Sequence, residues 1–277
     1  MLKQSSLRLV VLICLIAGSI VFALPFYTSI AMSLKTPFEL ASTTAWSWPK
    51  EPTIDNYREV LSNPNVDFAR LFTNTVLIAT LATLGTVLSS SLVAYAFAKI
   101  KFPGRDRLFV VVISSMMLPA IVTMIPTYVL FKELRWVNTI LPLTVPAFCG
   151  GGAFNIFLLR QFFMGLPKEL DEAAKMEGAG HWTIYSRVVV PLSYSALATV
   201  GLFCFIYNWR DFMGPLIYLN EPKSQTLELG LATYNSLRAE QWHLLMAGSV
   251  LVTIPLVILF LMGQRYFVKG MAMTGFK

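Results

Sequence analysis

Residues 9–34 read LVVLICLIAGSIVFALPFYTSIAMSL, a run of 26 residues that contains no acidic residue, lysine, arginine or histidine. A helix needs about 20 consecutive apolar residues to cross the hydrocarbon core of a bilayer. A cleaved signal peptide is the alternative, because Lys3 and Arg8 precede the run. The apolar region of a signal peptide is only about 7–15 residues long, however. The stretch therefore predicts a membrane-spanning helix.

Five further runs share these properties and are 21 to 28 residues long. We predict one span for each of the six: Leu9–Leu34, Leu71–Ala98, Leu108–Phe131, Trp136–Leu159, Val188–Trp209 and Leu244–Gln264. Prolines in several of them predict kinks, which membrane helices tolerate because neighbouring groups satisfy the freed carbonyls. The fourth run is the most interrupted, and Pro142, Pro146 and Gly150–Gly152 predict a broken helix there. We expect an all-α, polytopic membrane protein in which residues 1–277 form a single transmembrane domain.

The composition excludes two other classes of protein. The chain is 56% hydrophobic and 13% charged, whereas a typical soluble domain is about 45–50% apolar and about 25% charged. A soluble enzyme is therefore not expected, and intrinsic disorder would need low hydrophobicity. The net charge of +7 suits either nucleic acid or basic cytoplasmic loops. In a membrane chain we expect basic loops and no nucleic-acid partner.

Loop charges predict the orientation in the membrane. If the N-terminus is cytoplasmic, the inside segments carry 13 lysines and arginines and the outside segments carry nine. The inside segments are then 1–8, 99–107, 160–187 and 265–277, and the outside segments are 35–70, 132–135 and 210–243. Cytoplasmic loops of membrane proteins carry an excess of lysine and arginine. Both termini and the 160–187 loop are therefore predicted to be cytoplasmic.

The residues that catalysis or ion coupling would need are missing. No ionisable side chain interrupts the six runs, which argues against a proton- or ion-coupled secondary carrier, although backbone carbonyls can bind sodium. Gly150–Gly152 is not followed by the Gly-Lys-Ser/Thr of a phosphate-binding loop. The three cysteines and two histidines form no metal-binding spacing. We predict no catalytic residue, metal ligand or cofactor in this chain.

The loop between the fourth and fifth runs, residues 160–187, has a pattern of its own. Pro167 and the acidic residues after it suit the start of a helix, and Gly178 suits a left-handed stop. A helix of about ten residues is too short to be stable alone in water. Ala173 and Ala174 permit close approach of another backbone, so the loop is either a docking surface or an amphipathic helix at the membrane interface.

This loop resembles the EAA motif of ABC importer permeases. Five residues stand at the spacing of that motif: Glu172, Ala173, Ala174, Gly178 and Pro191. Val188 and Val190 replace its usual isoleucine and leucine, which is a mild departure. Downstream, residues 208–216 resemble a second family stretch with asparagine and tryptophan in exchanged order. The similarity extends over nearly the whole chain and is strongest to carbohydrate-uptake permeases, in particular the shorter partner of their heterodimer.

The resemblance implies partners that would supply what the chain lacks. The loop would be a coupling helix docked on one of two copies of a cytoplasmic ATPase, which bind ATP and Mg²⁺. A second permease subunit, giving a heterodimer, would complete the path, and an extracytoplasmic binding protein would deliver the solute. Closure of the ATPases would switch the spans from inward- to outward-facing. The location implied is the inner membrane of a prokaryotic cell.

The resemblance also implies roles for individual residues. Glu172 would pair with a basic residue of the ATPase, and Ala173 and Ala174 would fit against its surface. Gly178 would make the turn between two short helices, and Pro191 would start the fifth span. The solute implied is a sugar, such as an oligosaccharide or similar polyol, with glycerol-3-phosphate or another small solute as the alternative.

Side chains suited to a substrate path occur within the spans. Asn155, Tyr207, Asn208 and Trp209 combine amides that can hydrogen-bond a sugar with aromatic rings that can stack on it. The alternative is that these residues pack helices together or lie in the aromatic belt at the membrane interface.

Overall fold

The computed structural model describes residues 2–63, 66–237 and 241–274, with side chains described over 8–63, 66–232 and 241–264. Over these ranges the regular structure is helical throughout, which confirms the all-α prediction. The α-helices are α1 (Leu2–Ser33), α2 (Pro37–Ser42), α3 (Asp55–Ser62), α4 (Phe68–Lys99), α5 (Arg105–Ser114), α6 (Ala120–Glu133), α7 (Leu141–Thr144), α8 (Ala153–Met164), α9 (Lys168–Met176), α10 (His181–Ile184), α11 (Val190–Leu192), α12 (Tyr194–Trp209), α13 (Met213–Tyr218), α14 (Leu227–Leu237) and α15 (Trp242–Thr274). Shorter turns of 3₁₀-helix lie at Ser115–Met117, Val145–Phe148 and Pro222–Ser224, and a π-helical turn lies at Tyr185–Val189.

Four segments of the described chain are long and apolar enough to cross a membrane. They are Arg8–Ser33, Phe68–Lys99, Leu141–Met164 and Trp242–Gln264. Two further pairs of helices are long and apolar enough when each pair is taken together, but each pair is bent. They are Arg105–Met117 with Ala120–Glu133 and His181–Leu192 with Tyr194–Trp209. The described chain thus has four candidate spans, or six if each bent pair is one span. The six spans predicted from the sequence correspond to the count in which each bent pair is one span.

The predicted third span, Leu108–Phe131, is not one straight helix. Its two halves meet at an angle of 96°. Leu118, with ψ 116°, and Pro119, with ψ 133°, are both extended between them. A residue that precedes proline is driven out of the helical region by a clash with the proline ring. The bend at Leu118 follows from that clash.

The fifth span also departs from its predicted course. We predicted a helix over Val188–Trp209, but α12 begins at Tyr194 and the helical segment before it, His181–Leu192, is bent away by 78°. Pro191, expected to start the span, lies before the bend. Pro191 removes a helical hydrogen bond, and the π-helical turn Tyr185–Val189 ends shortly before this proline. Prolines and π-helical turns are both common causes of a bend.

The break predicted in the fourth span is present at the three glycines. Gly150, Gly151 and Gly152 have φ values of 119°, 66° and 84° and separate the 3₁₀ turn Val145–Phe148 from α8. A Cβ at Gly151 would collide with the backbone carbonyl of Thr86 in α4. The glycines therefore break the span as predicted, and they also allow close packing against α4.

By its backbone contacts the chain divides into two compact units. One unit combines the described parts of Met1–Ala69 and Gly230–Pro255, and the other combines those of Arg70–Leu229 and Leu256–Lys277. In the first, the buried Lys35 ammonium donates to the side chain of Thr43, the carbonyl of Thr44 and the side chain of Ser47 at 2.7–3.1 Å. These bonds organise the segment that follows α1.

The second unit contains a buried hydrophobic core beside the 160–187 loop. Its buried members come from α4, α8, the end of the loop and α12: Ala94, Tyr95, Phe97, Ile156, Leu159, Phe162, Phe163, Leu166, Ile184, Tyr185, Val189, Ala196, Val200 and Cys204. Ala174 and Ala179 of the loop pack against this cluster. The core thus positions the 160–187 loop.

Candidate functional site

The first half of the 160–187 loop is the nine-residue helix α9, close to the predicted length of about ten. Pro167 precedes it with φ −52° and ψ 133°, so the helix starts one residue after the proline. Glu169 and Asp171 lie in the first turn and Lys175 in the last, an order that complements the helix dipole. The predicted acidic start of the helix is therefore present.

Gly178 ends α9 as predicted. Its φ is +80°, and its backbone N–H donates to the carbonyl of Lys175 at 2.9 Å. The N–H of Ala179 donates to the carbonyl of Ala174, also at 2.9 Å. These two bonds form a Schellman motif, in which glycine takes the left-handed conformation that other residues adopt only with strain.

The outward-facing side of α9 carries Glu169, Glu172, Ala173 and Met176, all of them exposed. We call these four residues the outer face of α9. Their spacing of three and four residues places them on one side of the helix. Met176 is 87% exposed, unusually so for a large apolar side chain. The sequence interpretation missed it, although its position four residues after Glu172 was a usable signal.

The two alanines that the sequence assigns to one docking surface have different surroundings. Ala173 is exposed, but Ala174 is half-buried and packs against the core of its own chain. Consecutive residues of an α-helix are rotated by about 100°, because the helix has 3.6 residues per turn. Ala173 is therefore the more accessible of the two, and contact of both alanines with a partner stays a prediction.

Three polar contacts fasten the loop to α4. The Nζ atom of Lys99 lies 2.7 Å from Oδ2 of Asp171, and their side chains are only 8% and 14% exposed. Tyr95 Oη shares a hydrogen bond with Nδ1 of His181 at 3.3 Å. The hydroxyls of Ser91 and Tyr185 share another at 2.7 Å. None of these contacts follows from a local pattern in the sequence.

Nearby, Arg160 attaches the end of α8 to the helix α5. Its guanidinium lies 4.0 Å from the centroid of the Phe109 ring and 3.8 Å from Oδ1 of Asp106. A guanidinium over an aromatic ring is attracted by the negative face of that ring. The start of the loop is thus held from a second side.

The predicted substrate-path residues have unlike environments. Asn155 and Asn208 donate to backbone carbonyls four residues earlier, at 2.8 and 2.7 Å, and the Asn155 side chain also hydrogen-bonds Cys204. Trp209 is 2% exposed and packs against Phe72 and Phe205. Tyr207 is 75% exposed. The burial of Trp209 between aromatic rings favours the helix-packing alternative for that residue, and contact with a solute stays a prediction for all four.

Asp211 organises the segment that follows α12. Its Oδ1 accepts a hydrogen bond from the backbone N–H of Gly214 at 3.1 Å, at the start of α13. Burial raises the pKa of the Asp211 carboxyl, and hydrogen bonds from the backbone N–H groups of Gly214 and Met213 oppose that rise. A Cβ at Gly214 would meet the Asp211 carboxylate and, at 2.8 Å, Leu143 Cδ2. The turn therefore depends on both Asp211 and Gly214.

Among the described residues, no group of three or more histidine, cysteine, aspartate or glutamate side chains could hold a metal ion. Cys14 and Cys149 are exposed and Cys204 is buried, and none of the three forms a disulfide. The described part of the chain thus presents the exposed outer face of α9 on a scaffold of apolar helices.

Comparisons with known proteins bear on this arrangement. The family model described as "Binding-protein-dependent transport system inner membrane component" matches residues 87–273. That range includes the end of α4, the loop and α12.

Two characterised relatives match almost end to end. The trehalose/maltose transport system permease protein MalG of Thermococcus litoralis is 35% identical over 271 residues, covering 96% of each chain. The sn-glycerol-3-phosphate transport system permease protein UgpE of Brucella abortus is 31% identical over 267 residues, covering 94% of each.

A solved structure shares the fold. A chain of a bacterial ABC transporter involved in the import of the acidic polysaccharide alginate superposes with a TM-score of 0.84. The sequence identity is 23%, and the match covers 96% of this chain and 98% of the other. At that identity the likeness establishes the fold alone.

Proposed function

Because the chain belongs to the family of binding-protein-dependent transport system inner membrane components, we propose that it forms half of the translocation path of an ATP-driven importer. Members of this family are membrane transport subunits, so the protein is a transport subunit and not an enzyme. The solute would reach it from an external binding protein, and the energy would come from a separate ATPase.

The single observation that carries the proposal is the outer face of α9. Glu172 supplies an anion there, and Ala173 and Met176 supply a small and a large apolar contact, all exposed. The opposite side of the helix is fixed to α4 through Asp171 and to the core through Ala174. A surface that is already ordered loses little entropy on binding, which favours docking of a partner protein.

The alternative role of the loop, an amphipathic helix on the membrane surface, fits these contacts less well. The outer face carries two carboxylates, Glu169 and Glu172, whereas the exposed basic residues of α9, Lys168 and Lys175, lie beside this face. The cytoplasmic leaflet is negatively charged and attracts lysine and arginine rather than acids. A basic pocket on an ATPase subunit is the better complement to this face.

The proposed assembly contains partners that supply the missing functions. Two copies of a cytoplasmic ATPase would bind ATP and Mg²⁺, and a second permease subunit would complete the path as a heterodimer. The membrane is the inner membrane of a prokaryotic cell, with both termini in the cytoplasm. Supporting this, the chain has no Gly-Lys-Ser/Thr loop of its own. Its spans also lack the ionisable residues of ion-coupled carriers.

The proposed solute is a sugar, such as an oligosaccharide or a similar polyol. The relative named for trehalose and maltose transport supports it, at 35% identity over 96% of the chain. A second candidate is glycerol-3-phosphate, which is supported by the relative named for that transport at 31% identity over 94% of the chain. Both candidates present several hydroxyl groups, which the amides of Asn155 and Asn208 can hydrogen-bond.

The test uses the complete transporter in proteoliposomes. The chain is expressed with the proposed second permease, ATPase and binding protein, and trehalose, maltose and glycerol-3-phosphate are offered singly. We expect ATP-dependent uptake of one solute and stimulation of ATP hydrolysis by the loaded binding protein. ATP hydrolysis by the isolated chain, or uptake that needs no ATPase subunit, would refute the proposal.

A further inference from the structure

The last three turns of α4 carry a stripe of polar residues that all contact the 160–187 loop. Ser91, Tyr95 and Lys99 are spaced four residues apart, so they lie on one face of the helix. Each of them touches a different part of the loop. We call these three residues the α4 stripe.

The partners of the α4 stripe lie on both sides of the Gly178 turn. Lys99 contacts Asp171 in α9, whereas Tyr95 contacts His181 in α10. Tyr185, the partner of Ser91, lies in the π-helical turn and packs its ring 5.3 Å from that of Tyr95. Both halves of the loop are therefore attached to a single helix.

The contact of Lys99 with Asp171 is a largely buried charged pair. Their side chains are 8% and 14% exposed, whereas those of the surface pair Arg58 and Asp55 are 73% and 75% exposed. Lys99 Nζ also lies 3.4 Å from the carbonyl oxygen of Leu166, just before α9 begins. Salt screens a buried pair far less than an exposed one. Removal of one partner leaves a buried charge without compensation.

The covalent connections of α9 are less direct than this contact. On its N-terminal side, Gly165–Pro167 separate it from α8. On its C-terminal side, the Gly178 turn and the 78° bend before α12 intervene. The α4 helix, by contrast, runs unbroken for 32 residues from Phe68 to Lys99.

We propose that Lys99 and Asp171 are positioning residues that fix α9 to α4, so that a displacement of α9 is delivered to the second span. Tyr95 with His181 and Ser91 with Tyr185 extend the same junction to the second half of the loop. The inference rests on the proposed function, in which an ATPase docked on the outer face of α9 moves it.

The experiment follows the motion of α4 in the complete transporter. Nitroxide labels are placed singly on cysteines at the exposed α4 positions Leu77, Leu84 and Leu88, and electron paramagnetic resonance spectra are compared with and without ATP and vanadate. We expect the spectrum to change at one or more of these positions in the native background. In Lys99→Met the change of the spectrum should be at least about fivefold smaller than in the native protein. A factor of about five is the lower end of the typical coupling between two sites.

Two further variants separate positioning from a general effect of charge. Lys101, two residues after Lys99, is exposed, so Lys101→Met should leave the spectral change as in the native protein. Lys99→Arg keeps the cation and should restore the change. The exchange Lys99→Asp with Asp171→Lys should restore it as well, although each single substitution should lose it.

Several results would overturn the inference. The first is a spectral change in Lys99→Met as large as in the native protein. The second is the lack of any spectral change at the α4 positions in the native background. The third is release of the ATPase by Lys99→Met, which would assign the pair to docking instead. If Lys99→Met fails to insert into the membrane, the exchange of Lys99→Asp with Asp171→Lys is used instead. The inference is also overturned if that exchange variant inserts but does not show the spectral change. Failure of the proposed function is distinct, because the ATPase would then not copurify with the unaltered chain.

Discussion

Glu172 and Ala174 lie on nearly opposite sides of α9. Glu172 is exposed on the outer face, and Ala174 packs against the core of its own chain. Residues two positions apart in an α-helix are rotated by about 200°, which accounts for the opposition. Within a motif of three consecutive residues, one side chain is thus offered to a partner and another holds the helix in place.

The first prediction concerns Glu172. Glu172→Lys places a cation where the docked ATPase is expected to present a basic residue. Loss of a charge pair at a docked interface costs about 2–5 kcal/mol, so retention of the ATPase should fall at least about tenfold. Copurification of the ATPase and uptake at matched expression measure the effect. Glu177→Lys is the control, because Glu177 is exposed but does not belong to the outer face of α9. Normal retention of the ATPase by Glu172→Lys would reject the coupling role.

The second prediction separates backbone strain from crowding at the turn. Gly178 has φ +80° and open space around its Cβ position, whereas Gly180 is equally open but has φ −74°. Gly178→Val should therefore cost at least about 1–2 kcal/mol from the left-handed conformation alone and should reduce coupling. Gly180→Ala should be close to neutral. Uptake and ATPase retention are compared at equal membrane levels, and equal behaviour of the two variants would contradict the role given to the Gly178 turn.

The third prediction tests the orientation. Single cysteines replace Lys50 and Lys175, both exposed, in a background without Cys14, Cys149 and Cys204. A membrane-impermeant thiol reagent added to intact cells should label position 50 only, since segment 35–70 is predicted outside and the loop inside. Both positions should react after the cells are permeabilised. Labelling of position 175 in intact cells would reverse the assignment.

The fourth prediction uses the buried carboxyl of Asp211, whose pKa burial raises. A raised carboxyl pKa means that the folded state favours the protonated form, so stability is lost as the pH rises through that pKa. Asp211→Asn keeps an acceptor for the Gly214 N–H without the charge, and should be more stable than the native protein at pH 7. The advantage should vanish below about pH 4, where the carboxyl is protonated in both states.

Asp211→Ala serves as the comparison for that variant. It removes the acceptor together with the charge, and loss of such a helix-start bond typically costs about 1 kcal/mol. Thermal unfolding of the purified protein in detergent, followed across pH, distinguishes the variants. If Asp211→Asn and Asp211→Ala are equally stable at every pH, the hydrogen bond to Gly214 contributes nothing.

The apolar runs predict where the chain enters the membrane but not how straight each helix is. Pro25 and Pro255 remain inside continuous helices, whereas Pro119 follows a 96° bend. The residue type is the same, so the presence of a proline does not by itself predict a bend. The break at Gly150–Gly152 was predictable because three consecutive glycines weaken a helix wherever they occur.

The same distinction holds within the candidate site. The acidic start of α9 and the stop at Gly178 follow from neighbouring residues, and both were predicted. The pairing of Lys99 with Asp171 joins residues far apart in the sequence and was not. The exposure of Met176 and the burial of Ala174 depend on which side of α9 meets the core, which the sequence of the helix does not specify.

The contact between Lys99 and Asp171 also has a consequence for biosynthesis. Lys99 directly follows the second predicted span, Leu71–Ala98, whereas Asp171 follows the fourth. A growing chain therefore exposes the lysine long before the ribosome reaches its partner. The outer face of α9 is consequently fixed in place late in synthesis, and the proposed ATPase partner would meet it only on a chain whose first four apolar segments have already been made.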